Sequence, residues 1–516
     1  MAKTASRPAE ELERPLDLTP ERLRTMAADH FAVIDIGSNS VRLVVYDRLS
    51  RSPFPRFNEK SLCRLGEGLR ESSKLSADAM DRTLQALLRF TAISEAMEVT
   101  RTDVLATEAI RRASNGKSFV RKLKDATGLE VSVLSGPQEA TYSALGVVSG
   151  FYRPKGLVGD IGGGSLEIAE IADDHVGERL VSLPLGALPV LARLHEVGIK
   201  ETRKEIDAEL KNQLPPSTLV DPVLYAVGGG WRAIARVHMA EVQAPVRVAH
   251  GYELDAEEAR DYAKRISKLD EPAVAGLPNV PTRRVQTLAA AALVMERVLK
   301  HLKPQRLVFS ALGLREGWLY SQLPEAERYR DPLIEGAQAM ALLGSRVPEF
   351  APALVRWTDT MFLGEGEPER RLRVAACALS DIAWRDQADV QAHQSFERLV
   401  RFPFIGITHP ERAFLAATIH SRYGRQADDP AIALLSGQQR QRAHVLGLAL
   451  SLGYRFSGSV PAILDQAHLK IETDTVRMIV DDTRRMPDSD AVRTRLQQLG
   501  KALGIGQTEI VSQSKS

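Results

Sequence analysis

Two stretches of the chain share one pattern of apolar and polar positions. Phe-Ala-Val-Ile-Asp-Ile-Gly-Ser-Asn-Ser-Val-Arg-Leu-Val-Val-Tyr begins at Phe31, and Gly-Leu-Val-Gly-Asp-Ile-Gly-Gly-Gly-Ser-Leu-Glu-Ile-Ala-Glu-Ile begins at Gly156. In each, an apolar run leads into Asp-Ile-Gly, then two small residues and a serine, then a second apolar run. Aligned without gaps, Val33, Asp35, Ile36, Gly37 and Ser40 fall on Val158, Asp160, Ile161, Gly162 and Ser165, an offset of 125 residues. Two apolar runs joined by a Gly- or Ser-rich turn predict a β-hairpin. An offset this long predicts two similar subdomains and not a solenoid, whose repeats run ~20–50 residues.

Helical and strand patterns alternate around the hairpins. Residues 76–97 have helical spacing, with Met80, Leu84, Leu87, Phe90 and Ile93 apolar. Residues 103–106 predict a strand, 118–127 a helix stopped by Gly128, 131–134 a strand and 138–148 a helix. The second half repeats this, with a strand at 224–227, a Gly228-Gly229-Gly230 turn, helices at 231–238 and 283–302, and a strand at 306–310. Such alternation predicts α/β layers. After about residue 325 the strand signal stops, and residues 334–343, 371–384, 410–421, 438–452 and 475–482 predict helices. The expected organisation is therefore a polar extension over 1–29, helical near its end, two α/β subdomains over 30–150 and 151–325, and an all-α domain over 326–516. Residues 507–516 are expected to fray.

Composition narrows the function classes. Hydrophobic residues are 44% and charged residues 26%, which excludes collagen-like and wholly disordered chains. With 68 Lys+Arg against 66 Asp+Glu, no global field recruits a polyanion, so no nucleic-acid partner is expected and any phosphate must be held locally. Arg outnumbers Lys 51 to 17, but the excess is spread over the whole chain, as a genome-wide codon bias would spread it. No run reaches the ~18 apolar residues of a membrane span. The first residues carry Glu10, Glu11 and Glu13 without an apolar core, unlike a signal peptide. Two cysteines, Cys63 and Cys377, are too few for a disulfide framework or a cysteine metal site, which suits a cytoplasmic protein.

The repeated turns carry the candidate chemistry. Gly37, Ser38, Asn39 and Ser40 in one turn, and Gly162, Gly163, Gly164 and Ser165 in the other, can aim successive backbone N–H groups at one point and so bind phosphate. Asp35 and Asp160 repel phosphate but suit a divalent cation or its bound water. Two such loops, facing across one cleft, would grip one phosphate chain. P-loop, zinc and dinucleotide fingerprints are absent, and no Ser-His-Asp or Cys-His arrangement is supported.

Six motifs in order then resemble a known family. They are Asp35-Ile-Gly-Ser-Asn-Ser-Val-Arg-Leu43, Ala106-Thr-Glu-Ala-Ile-Arg111, Ser135-Gly-Pro-Gln-Glu-Ala140, Asp160-Ile-Gly-Gly-Gly-Ser-Leu-Glu167, Val227-Gly-Gly-Gly230 and Gly313-Leu-Arg-Glu-Gly317. Over residues 30–320 the chain resembles the exopolyphosphatase / guanosine pentaphosphate phosphohydrolase family, within the actin and sugar-kinase superfamily. The resemblance implies two duplicated actin-like (RNase H-like) subdomains around a cleft, Mg²⁺-assisted release of terminal orthophosphate from inorganic polyphosphate, and a homodimer. The family's other substrate, guanosine pentaphosphate, is the alternative, and a non-catalytic alarmone or polyphosphate sensor is a third reading. By the same resemblance Glu139 is the general base, Arg111 stabilises the phosphoryl group, and Asp160, Glu139 and Glu167 serve the metal. Gly229 lies in the loop where nucleotide-binding relatives hold an adenosine and is expected to help bind phosphate. Gln138 stands where the family has a further acid, and Arg112 is expected to be solvated.

Beyond residue 325 the chain resembles the HD-type helical domain of longer family members, with Ser380-Asp381 where His-Asp would stand and Leu450 in place of a final Asp. The resemblance thus implies a degenerate metal site. His393, His409, His420 and His444 do not rebuild it. Arg371, Arg373, Arg398, Arg401, Arg422 and Arg425 are candidates to lengthen the substrate path.

Overall fold

The structure, a computed structural model, describes residues 29–172, 174–214, 223–424, 427–481 and 489–512. Residues 1–28 of the expected extension, and Arg425, lie outside the described residues. The chain divides into two compact units, one ending at Arg328 and the other beginning at Tyr329.

The first unit is built on two sheets of the same plan. β1 (Phe31–Ile36), β2 (Val41–Tyr46) and β3 (Pro55–Ser61) form an antiparallel meander, and β4 (Arg101–Ala106) and β5 (Val131–Val133) extend it in parallel, in the order β3-β2-β1-β4-β5. β6 (Gly156–Ile161), β7 (Leu166–Ala172) and β8 (His175–Leu183) form the second meander, extended in parallel by β9 (Val223–Val227) and β11 (Arg306–Phe309). β10 (Glu253–Asp255) adds an antiparallel edge, in the order β10-β11-β9-β6-β7-β8. β1 and β6 are central strands, which explains their nearly unbroken apolar runs. Within those runs Asp35 and Asp160 are the exceptions, and both are half-buried.

Helices cover the sheets. α1 (Ala77–Ala96) begins at Ser76, whose hydroxyl accepts from the Ala79 N–H at 3.3 Å. α2 (Glu108–Arg112) and α3 (Gly116–Thr127) follow β4, and α3 stops at Gly128 with φ of 71°. α4 (Gly136–Gly150) starts in a capping box, in which Ser135 accepts from the Gln138 N–H and Gln138 accepts from the Ser135 N–H. Gln138 is therefore a helix-starting residue here.

α4 lies on the second sheet, where Ala140, Ala144 and Val147 pack with Val158, Ala169 and Tyr225. α5 (Ala187–Gln213), α6 (Gly229–Glu241) and α7 (Val285–Leu302) complete that half. α8 (Leu314–Gln322) crosses back, and its Leu319 and Trp318 join Phe31, Val33 and Leu105 of the first sheet. α4 and α8 touch backbone to backbone. A Cβ at Gly317 would lie 1.7 Å from the Tyr142 carbonyl oxygen, and one at Gly146 would lie 2.2 Å from that of Gly313. Each half thus lends a helix to the other's sheet, and glycine makes the crossing possible.

The second unit is largely helical, as expected. α9 (Pro332–Gly344), α10 (Phe350–Asp359), α11 (Glu367–Leu379), α12 (Gln391–Arg401), α13 (His409–Arg422), α14 (Gly437–Ser457) and α15 (Asp490–Leu503) enclose its core. It also carries a sheet that the helical periodicity did not predict, β12-β13-β14. β12 is Ala467–Ile471, β13 is Thr475–Val480 and β14 is Gln507–Ser512. The helix expected over 475–482 is the central strand. Val476, Met478 and Val480 alternate into the core, and flanking strands satisfy the backbone. The segment expected to fray from 507 is pinned as far as Ser512 by parallel pairing with β13. Among the described residues no helix is long and apolar enough to cross a membrane.

Candidate active site

The two turns close in the same way. The Gly37 N–H donates to the Ser40 carbonyl at 3.1 Å, and the Gly162 N–H donates to that of Ser165 at 2.8 Å. Neighbouring segments occupy the loop carbonyls. Gly66 and Arg64 donate to Ser38 and Asn39, while Ala187, Leu188 and Gly186 donate to Gly162, Gly163 and Gly164. Among the described residues the N–H groups of Ser38, Asn39, Gly163 and Gly164 donate to no backbone carbonyl. The loops abut, since a Cβ at Gly163 would lie 3.3 Å from Ser38 Cβ and 3.6 Å from the Asn39 nitrogen. The facing arrangement expected from the repeat is present.

Each aspartate heads a row of side chains set by strand register. In the second sheet Asp160, Glu167 and Ser182 are direct partners across β6, β7 and β8. Ser143 of α4 donates to Asp160 Oδ2 at 2.5 Å, and Ser182 donates to Glu167 Oε1 at 2.9 Å. Burial raises the Asp160 pKa, and burial together with the Glu139 and Asp160 charges raises that of Glu167 strongly. Glu139 stands in the first turn of α4, buried, with Arg111 Nη1 donating to its Oε1. The same Arg111 nitrogen donates to the Leu134 carbonyl at 2.6 Å. Burial pushes Glu139 up to about 7, although the Arg111 hydrogen bond and charge pull it down. Arg111, expected to grip a phosphoryl group, is held on Glu139.

In the first sheet the corresponding row is Asp35, Arg42 and Lys60 across β1, β2 and β3. Arg315 Nη1 donates to Asp35 Oδ2 at 2.8 Å, and Arg42 Nε donates to Asn58 Oδ1 at 2.8 Å. Burial, and then the charges of Arg284, Arg283 and Arg42, push Lys60 down to about 7. The Arg284 guanidinium lies on Gly229, where a Cβ would stand 2.2 Å from Nη2. An anion approaching Gly229 would meet that guanidinium. Arg232 is half-buried near Asp160, donates to the Ser310 and Ala311 carbonyls at 3.2 and 3.3 Å, and is pushed down to about 10 by desolvation.

Several of these residues were not singled out from sequence. Arg315 stands in a quoted motif, but its partner Asp35 is 280 residues away. Ser143 and Lys60 carry no motif signal, and only strand register or helix packing brings them in. Glu108 was quoted as part of a motif and not as a site residue. It is buried and accepts from Ser38 Oγ at 3.3 Å and from Arg112 Nη1 at 2.8 Å. Arg112 is half exposed and ion-paired.

The acidic donor set, buried Glu167 and Glu139 with half-buried Asp160, is all oxygen, and its charges raise the Glu167 pKa, which suits Mg²⁺ chemically. Among the described residues no three His, Cys, Asp or Glu side chains converge into a ready metal cage. That arrangement fits a cation that takes one or two carboxylates and completes its shell with water and substrate phosphate.

In the second unit Asp381 is buried, and its carboxylate is held by Arg346 at 2.8 Å and by Arg422 at 3.0 Å. Ser380 Oγ lies 2.8 Å from Tyr454 Oη, and Leu450 is fully buried. Two guanidiniums thus hold the carboxylate. For Arg371, Arg373 and Arg422 the expected arginine path along this unit is corrected. Arg371, Arg373 and Arg422 are buried and committed to Asp331, Glu365 and Asp381. Arg398 and Arg401 are exposed, and their ion pairs with Asp386 and Glu397 are surface pairs, so the correction does not extend to them. Guanidiniums already neutralised by buried carboxylates are poor phosphate contacts.

The chain is 28% identical over 431 residues to retrograde regulation protein 2 of Saccharomyces cerevisiae, covering 76% of this chain and 72% of that protein. It is 29% identical over 323 residues to exopolyphosphatase 1 of Mycobacterium tuberculosis, covering 59% and 91%. It is 25% identical over 470 residues to the guanosine-5'-triphosphate,3'-diphosphate pyrophosphatase of Vibrio cholerae, covering 87% and 92%. The crystal structure of an exopolyphosphatase from Cytophaga hutchinsonii shares the fold, with a TM-score of 0.51 and 23% identity over 57% of this chain and 97% of that one. Residues 333–510 match the exopolyphosphatase C-terminal domain. Residues 44–326, which hold the second loop with its row, Glu139 and Arg111 and begin just after the first loop, match the Ppx/GppA phosphatase family, and the chain belongs to that family.

Proposed function

We propose that the chain hydrolyses the terminal phosphoanhydride bond of inorganic polyphosphate and releases orthophosphate. The observation that carries this reading is the buried Glu139–Arg111 pair standing beside Asp160 and Glu167 where two anion-binding loops meet. Water attacks the terminal phosphorus, the new P–O bond forms, and the bridging P–O bond breaks, leaving orthophosphate and the shortened chain. Glu139 accepts the water's proton, and its raised pKa makes it a stronger base than an ordinary carboxylate. Arg111 orients Glu139 and keeps part of it ionised near neutrality. The N–H groups of Ser38, Asn39, Gly163 and Gly164, with the hydroxyls of Ser40 and Ser165, hold phosphoryl oxygens. Asp160 and Glu167 would hold Mg²⁺, which supplies charge neutralisation at the phosphates when bound. Cys63 and Cys377 are buried free thiols, in keeping with a cytoplasmic setting. A homodimer is part of the same reading, on the family resemblance alone.

Guanosine pentaphosphate is the second reading, favoured by the Vibrio cholerae relative, whose match covers 87% of this chain. Both readings need the same hydrolytic centre, whereas a sensor would not need Glu139 and Asp160. The test is orthophosphate release from long polyphosphate and from guanosine pentaphosphate, side by side, with Mg²⁺ and after chelation. Faster release from polyphosphate, lost on chelation and in Glu139→Gln, supports the proposal. Release from the nucleotide alone supports the second reading, and release from neither overturns both.

A further inference from the structure

Glu108 opens α2, directly after β4, and its carboxylate is buried. Oε2 accepts from Ser38 Oγ of the first loop at 3.3 Å. The same oxygen lies only 1.4 Å from where a Cβ on Gly164 of the second loop would stand. Oε1 accepts from Arg112 Nη1 at 2.8 Å, one helical turn on. The carboxylate therefore sits between the two loops whose N–H groups are aimed at an anion. Its sign is that of the substrate, so a phosphoryl group entering this gap meets both an occupied hydroxyl and a like charge.

We propose that Glu108 is an internal anion that holds a phosphate position between the loops, which the phosphate chain must displace, so that its charge sets affinity for substrate. The inference rests on the reading of the two loops as phosphate-binding. Displacement does not strand the carboxylate. Arg112 is half exposed and on the same short helix, so the pair can move outward together. Ser38 Oγ is then free to donate to a phosphoryl oxygen.

The test is calorimetric titration with inorganic triphosphate in a Glu139→Gln background, where slow turnover does not disturb binding. Adding Glu108→Gln, which keeps the side-chain shape and removes the charge, is expected to tighten binding about five- to tenfold. Arg112→Gln, which leaves the carboxylate unneutralised, is expected to weaken it, and the double variant should return to the Glu108→Gln value. In otherwise native protein Glu108→Gln is expected to lower KM for short polyphosphate with kcat within about twofold. Unchanged or weaker triphosphate binding in Glu108→Gln overturns the proposal. So does a higher Mg²⁺ concentration for half-maximal rate, which would make Glu108 a metal group. Glu108→Ala, checked by thermal unfolding, repeats the measurement should the glutamine variant fold poorly. Full activity in Glu139→Gln would overturn the assigned base but leave the triphosphate titration a valid test of Glu108.

Discussion

The two hairpins share a backbone and differ in sign. Both turn at Asp-Ile-Gly, both close with the same N–H to carbonyl bond, and both place an aspartate at the end of a central strand. One step further the likeness ends. Arg42 and Glu167 occupy the same place in the 125-residue repeat, and each is the direct cross-strand partner of its aspartate. The first row continues to Lys60 and the second to Ser182. Arg315 donates to Asp35, whereas Asp160 accepts from the Ser143 hydroxyl, feels the Arg232 and Arg315 charges without an ion pair of its own, and acts on Glu167 together with Glu139. In the proposed mechanism the duplicated turn supplies two phosphate loops, and the residue opposite each aspartate would make one flank hold phosphate and the other activate water. Backbone geometry was copied, and the chemistry was divided by single side chains.

The comparison breaks most sharply at Glu139. Glu139→Gln is expected to lower kcat ~10²–10⁴-fold, the usual worth of a general base, while triphosphate still binds. A fall in affinity without a fall in kcat would put Glu139 on the binding flank instead. Next come the two repeat-equivalent residues. Glu167→Gln is expected to reduce turnover about 10–100-fold and to raise the Mg²⁺ needed, as loss of a metal-supporting carboxylate does. Arg42→Gln is expected to raise KM about tenfold with kcat little changed, as loss of a charged phosphate contact does. Steady-state kinetics of the two variants should therefore separate into kcat and KM effects, and identical signatures would erase the distinction between the flanks.

Titration sharpens the same contrast. Glu139 works ionised, so kcat should rise as pH increases through about 7. A protonated Lys60 in the Asp35–Arg42 row would attract phosphate and a neutral one would not, so affinity is expected to fall as pH increases through about 7. The two limbs give kcat/KM a maximum near neutrality. Lys60→Arg keeps its charge and is expected to extend the alkaline limb, leaving the acid limb in place. Arg111→Gln is expected to move the acid limb to higher pH, because Arg111 pulls the Glu139 pKa down. pH profiles of the two variants check both directions, and a shift of the wrong limb would reassign the group.

The parts readable in the sequence are those that depend on neighbours along the chain. The hairpin at residues 31–46 and its copy at 156–171 follow from apolar runs around a small-residue turn, and the structure has both. The helix expected over 138–148 is present, and Ser135 and Gln138 start it by a local capping pattern that puts Glu139 in its first turn. Pairings between distant residues were not readable. Arg111 and Glu139 are 28 positions apart, and Ser38 and Glu108 are 70 apart. Arg42 and Lys60 join the site through register, which a one-residue slip would reverse. Thr475–Val480 read as a helix because a short apolar run does not declare its period, and only pairing with β12 and β14 made it a strand.

By itself the sequence determined a duplicated α/β unit, its two Asp-Ile-Gly turns, a helical C-terminal region and the family. Local turns, caps and apolar periodicity are set by the nearest few residues, so they survive without a tertiary context. Tertiary structure alone decided that α4 and α8 exchange sheets, that Arg111 is paired with Glu139, and that Arg371, Arg373 and Arg422 of the second unit are buried in ion pairs. It also decided that Glu108 enters the gap between the loops. Charge and burial at a point in space are sums over residues that the chain order keeps apart. The same arginine or glutamate therefore becomes a ligand, an orienting group or a core ion pair only when the fold brings its partners to it.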